Sequence, residues 1–263
     1  MKHNLKIITL MVIFFLLAQF IGLYIADIYF DKELPFNIKK PQFEEKSSTL
    51  NILSAIFIAT FLSMVLIKFN AERLWRFWFF FSVLFSLIIS FSALFRQEIA
   101  LLIALFVTIF KVIKPNIILH NLGELFIYGG LAAIFSSSLS IFSVSILLIV
   151  ISIYDMIAVW KTKHMIKLAK FQTKLNLFAG FLIPYKYKNK IKTAILGGGD
   201  VGFPLLFSAS VLNIYGTKAL IIPFTSAAFL MILFILGEDN KFYPAMPFIS
   251  IGCFLGYLLV LLI

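Results

Sequence analysis

Charge is scarce in this chain: only 13% of its 263 residues are Asp, Glu, Lys or Arg, while 62% are hydrophobic. A water-soluble domain of this size could not house the 32 phenylalanines in its interior, so a soluble fold is excluded. Cysteine is nearly absent. The single one, Cys253, sits in an apolar run and excludes an internal disulfide. Histidine is sparse too: His3, His120 and His164 are scattered, which leaves no metal-ligand cluster, and each is expected at a membrane edge. No cofactor is expected. The chain also lacks a low-complexity tail, a separate soluble domain and any repeat of roughly 20 to 50 residues.

Acids are the scarcer sign, 12 against 23 bases, for a net charge of +11. The basic residues lie in short loops beside apolar runs, the pattern that sets membrane orientation, so nucleic acid is not an expected partner. Runs of roughly 17 to 25 apolar residues between polar breaks define spans. Nine are read, over 5–26, 49–68, 77–95, 98–116, 121–137, 139–160, 191–213, 217–236 and 243–263. As one helix, the stretch 120–160 would be about twice the thickness of the hydrocarbon layer, so the turn is placed at Ser136, Ser137 and Ser138. The first run has a basic start but no small-residue cleavage site after it, and is read as a retained span.

These readings make the chain an all-α polytopic membrane protein, with residues 1–263 forming one transmembrane domain in the bilayer. Alternating the loops between the two sides puts most lysines and arginines with the N-terminus. That bias predicts a cell-membrane protein with a cytosolic N-terminus and an extracellular C-terminus. The nine lysines over 161–192 weigh most in it, and Lys241 adds one more. In the loop 161–190, "MIKLAKFQTKLNLFAGFLIPYKYK" sets lysines among Ile166, Leu168, Ala169, Leu175, Leu177 and Phe178, the pattern of a basic amphipathic helix at the interface. The external loop 27–48 is mixed in charge and is assigned no chemistry.

Two acids stand apart from the loops and span ends: Asp155 in "SILLIVISIYDMIAVW" and Asp200 in "AILGGGDVGFP". An ionised carboxylate in hydrocarbon is expensive, so an intramembrane acid is functional by default and faces a partner or a polar cavity. With spans six and seven antiparallel, Asp155 falls about five residues, roughly 8 Å, from the cytosolic edge. Asp200, on a helix starting near Ile191, falls about nine residues, roughly 13 Å, inside the same edge. One level in the membrane can therefore hold both. Two carboxyl groups in a low dielectric titrate as a unit and share a proton. Acid–base hydrolysis needs that state, one group drawing a proton from water while the other polarises a carbonyl.

Gly197, Gly198 and Gly199, just before Asp200, allow close backbone approach and expose amides, an irregularity tolerated at membrane depth only against protein or a wet cavity. Pro204 removes the hydrogen bond that its nitrogen would give the Asp200 carbonyl. The last span opens with "FYPAMPFIS", where two prolines three apart leave carbonyls without internal donors. Proline is also simply welcome in a helix's first turn.

Together, Tyr154 with Asp155, the G-x-G-D of Gly197, Gly199 and Asp200, and "PAMP" at Pro244, Ala245, Met246 and Pro247 resemble the presenilin and signal peptide peptidase intramembrane aspartyl proteases. The archaeal presenilin-like members are the most similar. The three motifs fall in order on spans six, seven and nine, as in that family. The resemblance implies a presenilin-like fold, Asp155 and Asp200 as the catalytic pair, transmembrane segments of other proteins as substrates, and activity without partner subunits. Pro244, Ala245 and Met246 stand at the family's Pro-Ala-Leu site, with methionine in place of leucine. The inferred cytosolic N-terminus is presenilin's orientation rather than that of signal peptide peptidases. Two other readings use the same acids: a transporter or channel with Asp155 and Asp200 as proton or cation sites, and a pseudo-enzyme that binds membrane segments without cutting them.

Overall fold

In a computed structural model, residues 5–41, 48–69, 71–162, 164–187, 190–238 and 243–263 are described. Lys2, His3, Lys163, Lys188 and Lys241, all used in the sequence reading, lie outside them, as do positions 42–47 of the external loop. The chain forms α1 (Leu5–Tyr29), α2 (Ser48–Lys68), α3 (Glu72–Ser92), α4 (Gln97–Val112), α5 (Ile117–Phe135) and α6 (Ile141–Met156). After α7 (His164–Lys174) come two strands, β1 (Gly180–Tyr187) and β2 (Lys190–Gly197), and then α8 (Gly198–Tyr215), α9 (Ile221–Leu236) and α10 (Met246–Leu262).

Among the described residues, five helical stretches are long and apolar enough to cross a membrane: Leu5–Tyr29, Glu72–Ser92, Ile117–Ser138, Ile141–Lys161 and Gly198–Leu236. The last bends at Gly216, whose φ of 59° marks the end of α8. Local sequence sets several of the other ends. The Asn116 side chain accepts from the amides of Ile118 and Leu119, at 2.9 and 3.2 Å, and so caps α5. Ser140 does the same for α6 through Ser143 N, at 3.2 Å, and the serine triplet 136–138 forms the 3-10 turn between these two helices.

The main core gathers side chains from both halves of the chain, among them Phe15 of α1, Leu148 of α6, Phe207 of α8 and Ile249 of α10. Large apolar groups also face outward, such as Phe77 and Phe106, as lipid-facing positions do. Where lipid is as apolar as the helix, small residues decide which helices meet. Gly252 and Gly256 are one turn apart on α10. A Cβ on Gly252 would lie 2.6 Å from Ser226 Cα, and one on Gly256 would lie 2.9 Å from Ile222 Cα, so only glycine lets α10 close on α9.

Several expectations need correction. The chain is not all-α: residues 190–197 pair antiparallel with 180–187, and Gly180 is opposite Gly197. Apolar residues suit a buried strand as well as a helix, and the pairing satisfies their backbone. The seventh helix therefore starts at Gly198, not near Ile191, and the depth assigned to Asp200 from a continuous helix falls with that start. Lys111, expected among the charges of a short loop, is buried and paired with Glu124, an acid expected near a span end that is buried as Asp155 is. His120 is buried beside them rather than marking an edge. The 161–190 loop does contain an amphipathic helix, α7. Phe171 on its apolar side meets Trp75 edge-on, with ring centroids 5.6 Å apart, so this face docks on protein.

Candidate active site

Asp155 lies near the C-terminal end of α6, where the helix widens into a π-helical segment, Ile157–Lys161. The widening shows in the bond from Thr162 N to Ile157 O, at 3.0 Å. Such turns recur at functional sites because they re-aim side chains. Asp155 is 9% exposed. Its Oδ2 accepts from the Met246 amide at 3.1 Å, and the Ala245 amide bonds it as well. These two amides open α10, whose first turn has no intrahelical partners of its own. The PAMP motif thus presents the positive end of a helix to an acid on another helix. One turn away, the hydroxyls of Ser152 and Ser250 meet at 2.9 Å and tie α6 to α10 again.

Asp200 is the third residue of α8 and is half-buried. Gly197 is the helix N-cap. The Asp200 carboxyl turns back to the Gly197 amide, the carboxylate half of a capping box. The three glycines are therefore a strand-to-helix junction: Gly197 ends β2, while Gly198 and Gly199 begin α8. At that junction Gly198 N–H donates to Ala179 O, at 3.0 Å. Gly199 is exposed and Gly198 half-buried. Pro204 is buried one turn beyond Asp200.

The structure brings α6, α8 and α10 into mutual contact, with Asp155 and Asp200 near enough to act on each other electrostatically. Pro244, Ala245 and Met246 are buried around Asp155, and Pro247 and Tyr154 are half-buried. One contributor escaped the sequence reading. Gln19 of α1, fully buried, donates through Nε2 to Val201 O at 2.9 Å, next to Asp200. A lone glutamine within an apolar helix was the available signal.

Two carboxyl groups on facing helices, one seated on a helix N-terminus and one beside an open glycine junction, suit hydrolysis of an amide. Comparison with known proteins bears on the fold and the family. Two solved structures of a presenilin family intramembrane aspartate protease, in C222 and P2 crystal forms, are similar to this chain. The first has 20% identity and a TM-score of 0.70, covering 97% of this chain and 98% of that one. The second has 21% identity and a TM-score of 0.67, covering 96% of each. No curated protein sequence matches the chain. The family model described as signal-peptide peptidase, presenilin aspartyl protease matches residues 7–263. With that match running along nearly its whole length, the chain belongs to the signal-peptide peptidase and presenilin family of aspartyl proteases.

Proposed function

We propose that the chain is an intramembrane endopeptidase that cuts peptide bonds within transmembrane segments of other proteins, with Asp155 and Asp200 as the catalytic pair. The observation that carries this reading is the placement of the two carboxyls on contacting helices, Asp155 held by the amides of Ala245 and Met246. Water attacks the scissile carbonyl carbon as one carboxylate takes its proton and the other, protonated, donates to the carbonyl oxygen. The tetrahedral intermediate then collapses: the C–N bond breaks and the leaving nitrogen receives a proton from the pair. Gly197, Gly198 and Gly199 leave room for a substrate backbone, and Tyr154 and the Pro244 to Pro247 segment flank Asp155. Family membership favours hydrolysis over ion coupling by the same acids.

In this reading all nine expected spans cross the membrane, with the N-terminus in the cytosol and the acids toward the cytosolic side. The test is incubation of the purified protein with a helical membrane substrate, products being read by mass spectrometry. Asp155→Ala and Asp200→Ala are each expected to abolish cleavage while expression and detergent extraction stay intact. Cleavage that persists in both single variants rejects the mechanism.

A further inference from the structure

Among the described residues, the ion pair with both side chains buried joins Lys111 in the last turn of α4 to Glu124 of α5. A buried pair is held only at the cost of desolvating both charges, and it persists where further hydrogen bonds satisfy them. Here those bonds run in two directions. His120, Glu124 and Tyr128 recur every four residues, so they share one face of α5.

The first arm passes through His120. Lys111 Nζ lies 3.0 Å from His120 Nδ1, and His120 Nε2 lies 2.8 Å from Gly180 O. An ammonium only donates and a carbonyl only accepts, so the ring is neutral, with its proton on Nε2. The next residue, Asn121, grips the same strand: its side chain accepts from Leu182 N at 3.0 Å and donates to Leu182 O at 2.8 Å. At the start of β1, Gly180 has φ of +141°, and a Cβ there would lie 2.2 Å from Leu196 O and 3.0 Å from Gly198 N. The neighbouring Ala179 O accepts the Gly198 amide.

The second arm passes through Tyr128. Its hydroxyl donates to Glu124 Oε2, and its ring packs on Phe181 with centroids 6.0 Å apart. A Cβ on Gly198 would stand 3.2 Å from the Tyr128 hydroxyl, and one on Gly202 would stand 3.7 Å from its ring. Gly198 and Gly202 bracket Asp200 in sequence. The two arms thus meet at Gly198, one holding its amide through β1 and the other blocking its open side.

We propose that Lys111, Glu124, His120 and Tyr128 form a positioning clamp that fixes the first turn of α8, and with it the Asp200 carboxyl, relative to Asp155. The four side chains are buried and act through the junction rather than on the reacting atoms. Its effect on rate rests on the reading of Asp200 as catalytic, but its effect on the junction does not. Misplacing a reacting group by about 1 Å can cost on the order of a hundredfold in rate.

The test uses the full-length protein in detergent with a helical membrane substrate. His120→Leu removes the donor to Gly180, whereas His120→Gln restores both a donor and an acceptor. His120→Leu is expected to lower kcat about tenfold or more with KM within about twofold, and His120→Gln to recover most of the loss. In parallel, hydrogen exchange of peptide 196–203 speeds up in His120→Leu and returns toward wild type in His120→Gln. Unchanged exchange in His120→Leu, or unchanged kcat despite faster exchange, overturns the clamp. Should His120→Leu not fold, Tyr128→Phe takes its place, keeping the ring on Phe181. A kcat loss of about threefold or more with faster exchange then supports the clamp, and wild-type values of either quantity reject it. If the wild-type protein itself cleaves nothing, the protease reading fails, and the clamp stands or falls on the exchange measurement.

Discussion

Met246 meets Asp155 through its amide rather than its side chain, and that changes what a substitution there does. The family's leucine at this position and the methionine here present the same N–H, so Met246→Leu is expected to keep the cleavage rate within about twofold, a volume-conserving change. Met246→Pro removes the donor. A hydrogen bond to a charged group is worth roughly 1.5 to 3 kcal/mol, so the loss is expected to slow turnover about tenfold to a hundredfold at unchanged detergent extraction. Steady-state cleavage of a membrane substrate by the two variants separates amide from side chain. Equal rates in both would show that the amide is dispensable.

At the scale of elements, two contacts depend on a missing Cβ. Gly252 brings α10 against α9, and its substitution by valine drives side-chain atoms into Ser226 and the Thr225 carbonyl. The expected cost is roughly 1 to 3 kcal/mol of overpacking, read as a lower unfolding midpoint in detergent, and cleavage falls with it because α10 carries the amides that hold Asp155. Gly180→Ala acts elsewhere. Its positive φ and the 2.2 Å approach to Leu196 O leave no room for a methyl group, so the hairpin must shift. The expected result is a sharp loss of turnover with a smaller change in midpoint than Gly252→Val gives, checked by measuring both quantities on both variants.

The hairpin is also the element that resisted reading. "IKTAILG" looks like the opening of a membrane span because a short apolar run fits a buried strand and a helix equally well. Only the partner strand at 180–187, itself interrupted by Pro184 and Lys186, makes the difference. The caps of α5 and α6 carry a signal of another kind. Asn116 and Ser140 carry their signals locally, and the bonds they accept lie within three residues of them.

At the scale of the whole molecule, the distribution of lysines and arginines predicts a cytosolic N-terminus and an external C-terminus. A reporter that is active only in the cytosol, fused at either end, is expected to be active at the N-terminus and silent at the C-terminus. The reverse pattern would place the acids on the opposite side. The multi-pass helical architecture and the family were legible from the chain alone. Composition and residue order report directly how costly each segment is to expose to water or to lipid, and that cost depends on the residue rather than on its neighbours in space. What only the tertiary structure decided are the contacts made at long sequence separation: the amides of Ala245 and Met246 on Asp155, Gln19 on Val201, and Lys111 with Glu124 and His120 behind the hairpin. A buried charge or an open amide says that a partner must exist, because leaving it alone in a low dielectric is too costly. Which partner it finds is set by how the helices pack.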